Sequence, residues 1–485
     1  MKFLNRQTIS ANKYTEKIVQ FGEGNFLRGF ANWMIHKMNV ETKFNSGVVV
    51  VQPIEEGVVD LLNEQDGLYT VYLNGLKNGK AVSEFEIIDC IQRGINPYKN
   101  PEEYLNIANN PELRFVISNT TEAGISYKQD DSFEDTPQSS FPGKLTSLLY
   151  RRFKIFKGAP NKGLIIIPCE LIERNGDKLK KIIFQYINDW QLEESFKMWI
   201  ENDNFFCNTL VDRIVPGYPE KKMGDLIKKF NYKDKLVVEC EQFYLWVIEG
   251  PQFLEKEIPA NACGLNVIFT RNMEPYRNRK VRILNGAHTA LVPVSFLYGI
   301  DKVRESLEDE IVGSFIKKLI FNEICPTLDD QPEKEIEEFA NEVIDRFKNP
   351  YLDHFLLSIS LNSTSKFKTR VIPSILKYIN VNKKLPKLLL FSLASQIAFN
   401  KGQRNGKQIP LKDDPSILAF YKNTWENNDI PMVVKSILKH VEFWGHDLTK
   451  IEGLDKVVTN YLINIENKGM STALTDLVIG NNFTN

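Results

Sequence analysis

The segment RKVRILNGAHTALVPVSF, residues 279–296, sets Lys280, Asn285 and His288 at a spacing suited to chemistry on a carbonyl group. On a helix turning about 100° per residue, His288 falls roughly 80° and Asn285 roughly 140° from Lys280, on one broad face. A lysine there can protonate a developing alkoxide, or deprotonate an alcohol in reverse, if its surroundings depress its pKa. An asparagine amide donates to the same oxygen without changing charge. A neutral histidine bonds a substrate hydroxyl or orients the lysine. The chemistry requires no metal, and no His/Cys/Asp cluster has zinc-ligand spacing. Singly, Lys280 reads as a surface lysine, Asn285-Gly286 as a turn and His288 as a core histidine. Together they favour catalysis.

A second segment, KIVQFGEGNFLRGF at residues 17–30, has the form of a strand, a glycine turn and a helix. Gly22 and Gly24 begin a G-x-G-x-x-G dinucleotide fingerprint, but Leu27 stands where the third glycine belongs. The turn follows the first apolar strand and opens an apolar helix with Phe26, Phe30, Trp33 and Met34. Amide groups at that helix start would face a pyrophosphate. Arg28 adds a charge there or is a solvated surface residue. The second strand, GVVVVQPIEEG, ends in Gln52 and Pro53, with its first acids at Glu55 and Glu56. The acid that usually holds the NAD ribose is therefore missing, and NAD is preferred over NADP without it.

These residues need elements to hold them. Ile18–Phe21, Val48–Gln52, Phe115–Ser118 and Leu164–Ile167 are near-continuous apolar runs, as expected of strands buried on both faces. Between strands, GDKLKKIIFQYINDW carries Ile182, Ile183, Tyr186, Ile187 and Trp190 at helical spacing, with Asp177 at its start. Such alternation predicts an α/β domain with a mostly parallel sheet. Near residues 270–280 the periodicity changes. Helical stretches follow at Val303–Phe321, Glu333–Phe347, Arg370–Tyr378, Leu385–Phe399, Pro431–His440 and Leu454–Ile465. The reading is a Rossmann-type dinucleotide-binding domain over residues 1–275 and a mostly α-helical substrate and catalytic domain over 276–485.

Bulk properties narrow the partners. With 61 Lys+Arg against 62 Asp+Glu, the net charge of -1 gives no reason to expect nucleic acid or an anionic membrane. The six cysteines include no C-x-x-C pair, which fits reduced thiols in a cytoplasm. The N-terminus has no apolar run suited to a signal peptide. Nothing in the sequence sets the oligomeric state.

Six motifs, in order along nearly the whole chain, carry a resemblance: FGEGNFLRGF, SNTTEAGI, PCELIERNG, NTLVDRIVPG, LWVIEGP and KVRILNGAHT. They resemble the long-chain polyol-specific dehydrogenases, the family that includes mannitol 2-dehydrogenase. The resemblance implies a Rossmann-type domain, a helical C-terminal domain, an active site between them, and metal-independent hydride transfer with a catalytic lysine. It places Lys280 at that lysine and Asn285 and Asn175 at two amides of an oxyanion site. His288 takes the position of a substrate-contacting histidine, and Asp212 that of an acid near the active site. It implies NAD contacts from Phe21, Gly22, Gly24, Asn25, Phe26 and Arg28, from Gln52, and from Ser118, Asn119 and Thr120.

The chain departs from the mannitol-type pattern twice. Arg277 replaces a glutamate three residues before the lysine, and Ser358 stands where an arginine is expected eight residues before Lys366. A new cation suits a substrate with a carboxylate. Arg277, Lys366, Lys368 and Arg370 are the candidates. The expected reaction is reversible reduction of a keto-uronate to an aldonate. The alternatives are another keto-uronate, a hexitol or hexitol phosphate within the family, and a non-catalytic dinucleotide-binding regulator.

Overall fold

The computed structural model describes residues 2–480, apart from 78, 79, 122 and 352. The chain divides into two compact units, residues 1–74 with 82–273, and residues 75–81 with 274–485.

The strands run β1 Glu16–Phe21, β2 Gly47–Val51, β3 Tyr69–Lys77, β4 Lys80–Ile88, β5 Ile91–Ile95 and β6 Phe115–Ser118, all in the first unit but for the end of β3 and the start of β4. They continue as β7 Ile165–Pro168, β8 Phe205–Phe206, β9 Asn208–Asp212, β10 Val238–Glu241, β11 Leu245–Glu249 and β12 Val267–Thr270. Six form a parallel sheet in the order β5-β2-β1-β6-β7-β8. Counted within that sheet alone, the order is 3-2-1-4-5-6, which reverses direction between β1 and β6 and opens a crevice at their carboxyl ends.

The apolar runs explain why these strands lie inside. Side chains alternate across a strand, so each run must satisfy two cores. Ile18, Val48, Val50, Ile117, Ile165 and Ile167 enter one core with Phe30, Trp33 and Met34. Val19, Phe21, Val49, Val51, Val116 and Ile166 enter the other, against Leu145, Leu148, Leu149, Ile183 and Tyr186. Beside this sheet lie β10-β3-β4 and β12-β11-β9, each of three strands.

The helix Ala31–Glu41 brings a charged cluster into this unit. His36 Nδ1 lies 2.8 Å from Asp89 Oδ1, and its Nε2 lies 3.6 Å from Glu86 Oε1. Burial opposes the charge on His36, but the bonds to Asp89 and Glu86 prevail and raise its pKa to about 9. Burial likewise opposes ionisation of Glu86, yet His36 and Lys37, the latter at 2.7 Å, lower it to about 2. Since the folded His36 pKa exceeds the unfolded value of 6.5, its stabilisation is complete below pH 6.5 and is lost as pH rises through about 9. Melting temperature is therefore expected to fall across that interval. His36→Gln should lower stability at pH 6 and flatten the alkaline decline in a series of thermal melts.

The second unit is built on two apolar helices, Ala287–Tyr298 and Lys387–Phe399, which pack together. Eleven of the 13 residues of Lys387–Phe399 are buried, and Ser392 Oγ donates to Ala290 O at 2.6 Å. The helices Glu333–Phe347, Ser363–Arg370, Ile372–Asn382 and Leu454–Lys468 pack around them. The stretch expected as one helix from Val303 to Phe321 is divided. It breaks at Asp309, whose carboxylate accepts from Ile311 N and Val312 N and starts a new helix at Glu310.

Candidate active site

At the crevice of the first unit, the glycine turn has the geometry its two glycines suggest. Gly22 takes φ +113°, and a Cβ there would sit 2.7 Å from Asn119 O, so the turn admits only glycine. Gly24 precedes the helix Asn25–Gly29, and a Cβ added to it would meet nothing within 4 Å. That open approach to helix-start amides fits a dinucleotide pyrophosphate. Next to it lies a cleft of about 570 Å³ lined by Phe26, Asn119, Thr121, Ala123, Glu170 and Leu171.

Glu170 organises the wall of this cleft. It is 2% exposed and accepts from Ser118 Oγ at 3.0 Å, Thr120 N at 2.9 Å and Thr120 Oγ1 at 3.0 Å. Burial raises its pKa, against those bonds. Asn119 Nδ2 donates to Cys169 O at 2.7 Å. Ser118, Asn119 and Thr120 thus stand at the expected crevice, tied to the end of β7. Sequence reasoning missed Glu170, although an acid at the carboxyl end of a parallel strand is a usable signal.

Three of the residues expected at the cofactor face elsewhere. Arg28 is buried, and its nitrogens donate to Glu23 O at 3.0 Å, Leu236 O at 2.5 Å and Asn25 Oδ1 at 2.7 Å. It braces the turn from behind. Gln52 donates to Ile54 O at 3.0 Å and Glu55 O at 2.8 Å, holding its own loop. The Phe21 ring is buried against Phe141 and Tyr104, so only its backbone is available to a ligand.

Asn175 also departs from the expectation. Its side chain is fully buried. Nδ2 lies 3.0 Å from Pro168 O, 3.1 Å from Glu170 O and 3.1 Å from Thr209 Oγ1, while Oδ1 accepts from Thr209 N and Gly176 N, both at 2.9 Å. With both ends of the amide spent, Asn175 ties β7 and β9 to the helix Asn175–Asp189 and offers no hydrogen to an oxyanion. Asp212 is buried at the end of β9, opposite Leu245 of β11.

In the second unit, Lys280 starts a π-helical segment, Lys280–Gly286, set between the α-helices Glu274–Arg279 and Ala287–Tyr298. The wheel of the sequence reading therefore needs correction. With i→i+5 bonding, the wider turn brings Asn285 back toward the face of Lys280, closer than a regular α-helix would. Asn285 is half-buried, and its amide makes no hydrogen bond among the described residues. Gly286 permits the close approach of another helix, since a Cβ there would lie 3.0 Å from Arg370 O. The end of Ser363–Arg370 is thereby set against the π turn.

His288, 9% exposed, stacks on Phe347 at 4.1 Å and meets His354 edge-on at 5.0 Å between ring centroids. Its buried Nε2 has no hydrogen-bond partner among the described residues. Burial first, then His354, Arg346, Arg370 and Lys366, hold its pKa well below the ordinary value, so the ring is neutral. Lys366 Nζ donates to Ile359 O at 2.8 Å. Arg370 is half-buried, and burial lowers its pKa. Arg277 lies 3.6 Å from Glu274, and Lys368 Nζ donates to Glu442 O at 2.9 Å. His354 was not found from the sequence, where it is an isolated loop residue without periodic signal.

Comparison with known proteins matches these two sets of residues to two adjoining families of domain. Residues 16–262 match the mannitol dehydrogenase Rossmann domain and residues 272–466 the mannitol dehydrogenase C-terminal domain. An altronate oxidoreductase of Phocaeicola vulgatus is 48% identical over 472 residues, covering 97% of this chain and 98% of the relative. One from Bacillus subtilis is 47% identical over 469 residues, covering 96% of each. Among solved structures, a D-sorbitol dehydrogenase in substrate-free form superposes with a TM-score of 0.81 at 21% identity, covering 97% of this chain and 100% of that one. The Pseudomonas fluorescens mannitol 2-dehydrogenase, in ternary complex with NAD and D-mannitol, gives 0.66 at 20% identity, covering 99% and 100%. With both domain models matched along 16–262 and 272–466 and relatives 47–48% identical over nearly its full length, the chain belongs to the mannitol dehydrogenase family.

Proposed function

We propose that this enzyme reversibly reduces tagaturonate to altronate with NADH. The observation that carries the substrate class is the surround of His288, where a buried neutral imidazole with an unpaired Nε2 is flanked by Lys366 and Arg370. The full-length likeness to altronate oxidoreductases supports the particular sugar acid. NADH, which the glycine turn and the Glu170 cleft would hold, would supply the hydride to the ketone carbon. Lys280 delivers the proton that reaches the ketone oxygen, and the Asn285 amide donates to that oxygen as charge develops. His288 meets a substrate hydroxyl. Arg370 and Lys366 hold the carboxylate, Arg370 being the better suited because its fork matches two oxygens. Arg277 remains a second candidate for that contact.

Among the described residues no helix is long and apolar enough to cross a membrane. The six cysteines are free, which suits a reducing compartment, and we place the enzyme in the cytoplasm.

The substrate reading is tested by kinetics on matched substrates. Arg370→Gln should lower kcat/KM for tagaturonate by roughly 10–100-fold, the worth of a charged hydrogen-bonded pair, and much less for fructose. Equal losses on both would show that Arg370 does not read the carboxylate. A wild-type preference for fructose over tagaturonate would sink the uronate assignment itself.

A further inference from the structure

The missing acid at the end of β2 leaves unexplained how this chain recognises the adenosine ribose. We propose that Glu23, the middle residue of the glycine turn, supplies the carboxylate that reads that ribose and selects NAD over NADP. The inference deepens the dinucleotide reading above and rests on it.

The geometry begins with the loop after β2. Gly57 lies so close to the Glu23 side chain that a Cβ there would collide with Glu23 Oε1 and with the Gln52 amide. The carboxylate therefore reaches from the turn after β1 to the carboxyl end of β2, where the ribose-binding acid of such folds stands. Gln52, which occupies that position in the sequence, is engaged with Ile54, Glu55 and Val59. It buttresses the loop while Glu23 provides a carboxylate that is 8% exposed, its pKa raised by burial against backbone bonds from its own and the Val58 N–H. Because Glu23 sits between Gly22 and Gly24, one short turn offers backbone amides to the pyrophosphate and a carboxylate to the neighbouring ribose.

Charge in this region disfavours a 2′-phosphate. Glu55 and Glu56 are exposed on the same loop. Among the described residues the one cation acting on Glu23 is Arg28, whose three nitrogens are already committed to Glu23 O, Leu236 O and Asn25. A 2′-phosphate would meet carboxylates without the arginine that usually receives it, whereas ribose hydroxyls can donate to Glu23.

Dissociation constants for NADH and NADPH, measured by cofactor fluorescence on the full chain without substrate, test the assignment. The measurement is independent of which keto sugar is reduced. Wild type should bind NADH more tightly, and Glu23→Gln should narrow the NADH/NADPH ratio by about tenfold or more. An unchanged ratio in a folded Glu23→Gln protein overturns the proposal. Should that variant not fold, wild type suffices: ADP-ribose should displace NADH at lower concentration than its 2′-phosphate analogue, and equal displacement overturns the proposal too. Binding of neither dinucleotide would overturn the cofactor reading and, with it, this role for Glu23.

Discussion

Replacing Lys280 with methionine is expected to lower turnover by roughly 10²–10⁴-fold, the usual worth of a positioned general acid. Methionine keeps the unbranched length and the helix propensity of lysine but cannot hold the proton. Lys280 begins the π segment of the second unit, while the glycine turn and the Glu170 cleft belong to the first. NADH affinity and thermal stability should therefore change little. Rapid-mix single-turnover kinetics, with a parallel NADH titration, separates loss of chemistry from loss of binding. Near-normal turnover in the variant would remove the lysine from the mechanism.

The two asparagines provide the second large effect, and they should fail differently. Asn285→Ala removes an amide that the protein leaves unengaged, so kcat should drop by about 10²–10³-fold, as for a lost oxyanion donor, with little change in melting temperature. Asn175→Ala removes the side chain that joins Pro168, Glu170 and Thr209, and takes away the acceptor of the buried Thr209 and Gly176 N–H groups. Each such orphan costs about 1–3 kcal/mol, so the first symptom should be a lower melting temperature. Should Asn175→Ala melt like wild type and lose only kcat, the amide acts on substrate after all.

These contrasts mark what the sequence could and could not disclose. The parallel strands were legible because Val48–Val51 and Ile165–Ile167 have no polar residue to place on either face. The helix Glu333–Phe347 was legible from a clean apolar stripe. The strands β3 and β4 were not, since most of β4 is exposed and carries no alternation that burial would impose. The break at Asp309 was hidden by apolar residues continuing on either side, although an aspartate starting a helix is a local signal. In the site, motif identity named candidate residues, but not where their side chains turn. Arg28 reads as a phosphate ligand until the carbonyl of Leu236, more than 200 residues away, accepts its guanidinium. Long-range partners of that kind leave no trace in local spacing.

The π segment gives the catalytic strip an unusual tolerance of a change in chain length. A turn closed by i→i+5 bonds contains one residue more than an α-helix uses. Deleting a single residue between Lys280 and Asn285 would let the backbone relax to continuous α-helical bonding, so the shortened helix need not be less stable. Lys280 and Asn285 would become four residues apart on that α-helix, about 40° round its axis. Lys280 and His288 would become seven residues apart, about 20° round the axis, so all three side chains would still share one face. A variant shortened by one residue there is therefore expected to fold and to keep turnover measurable in single-turnover kinetics.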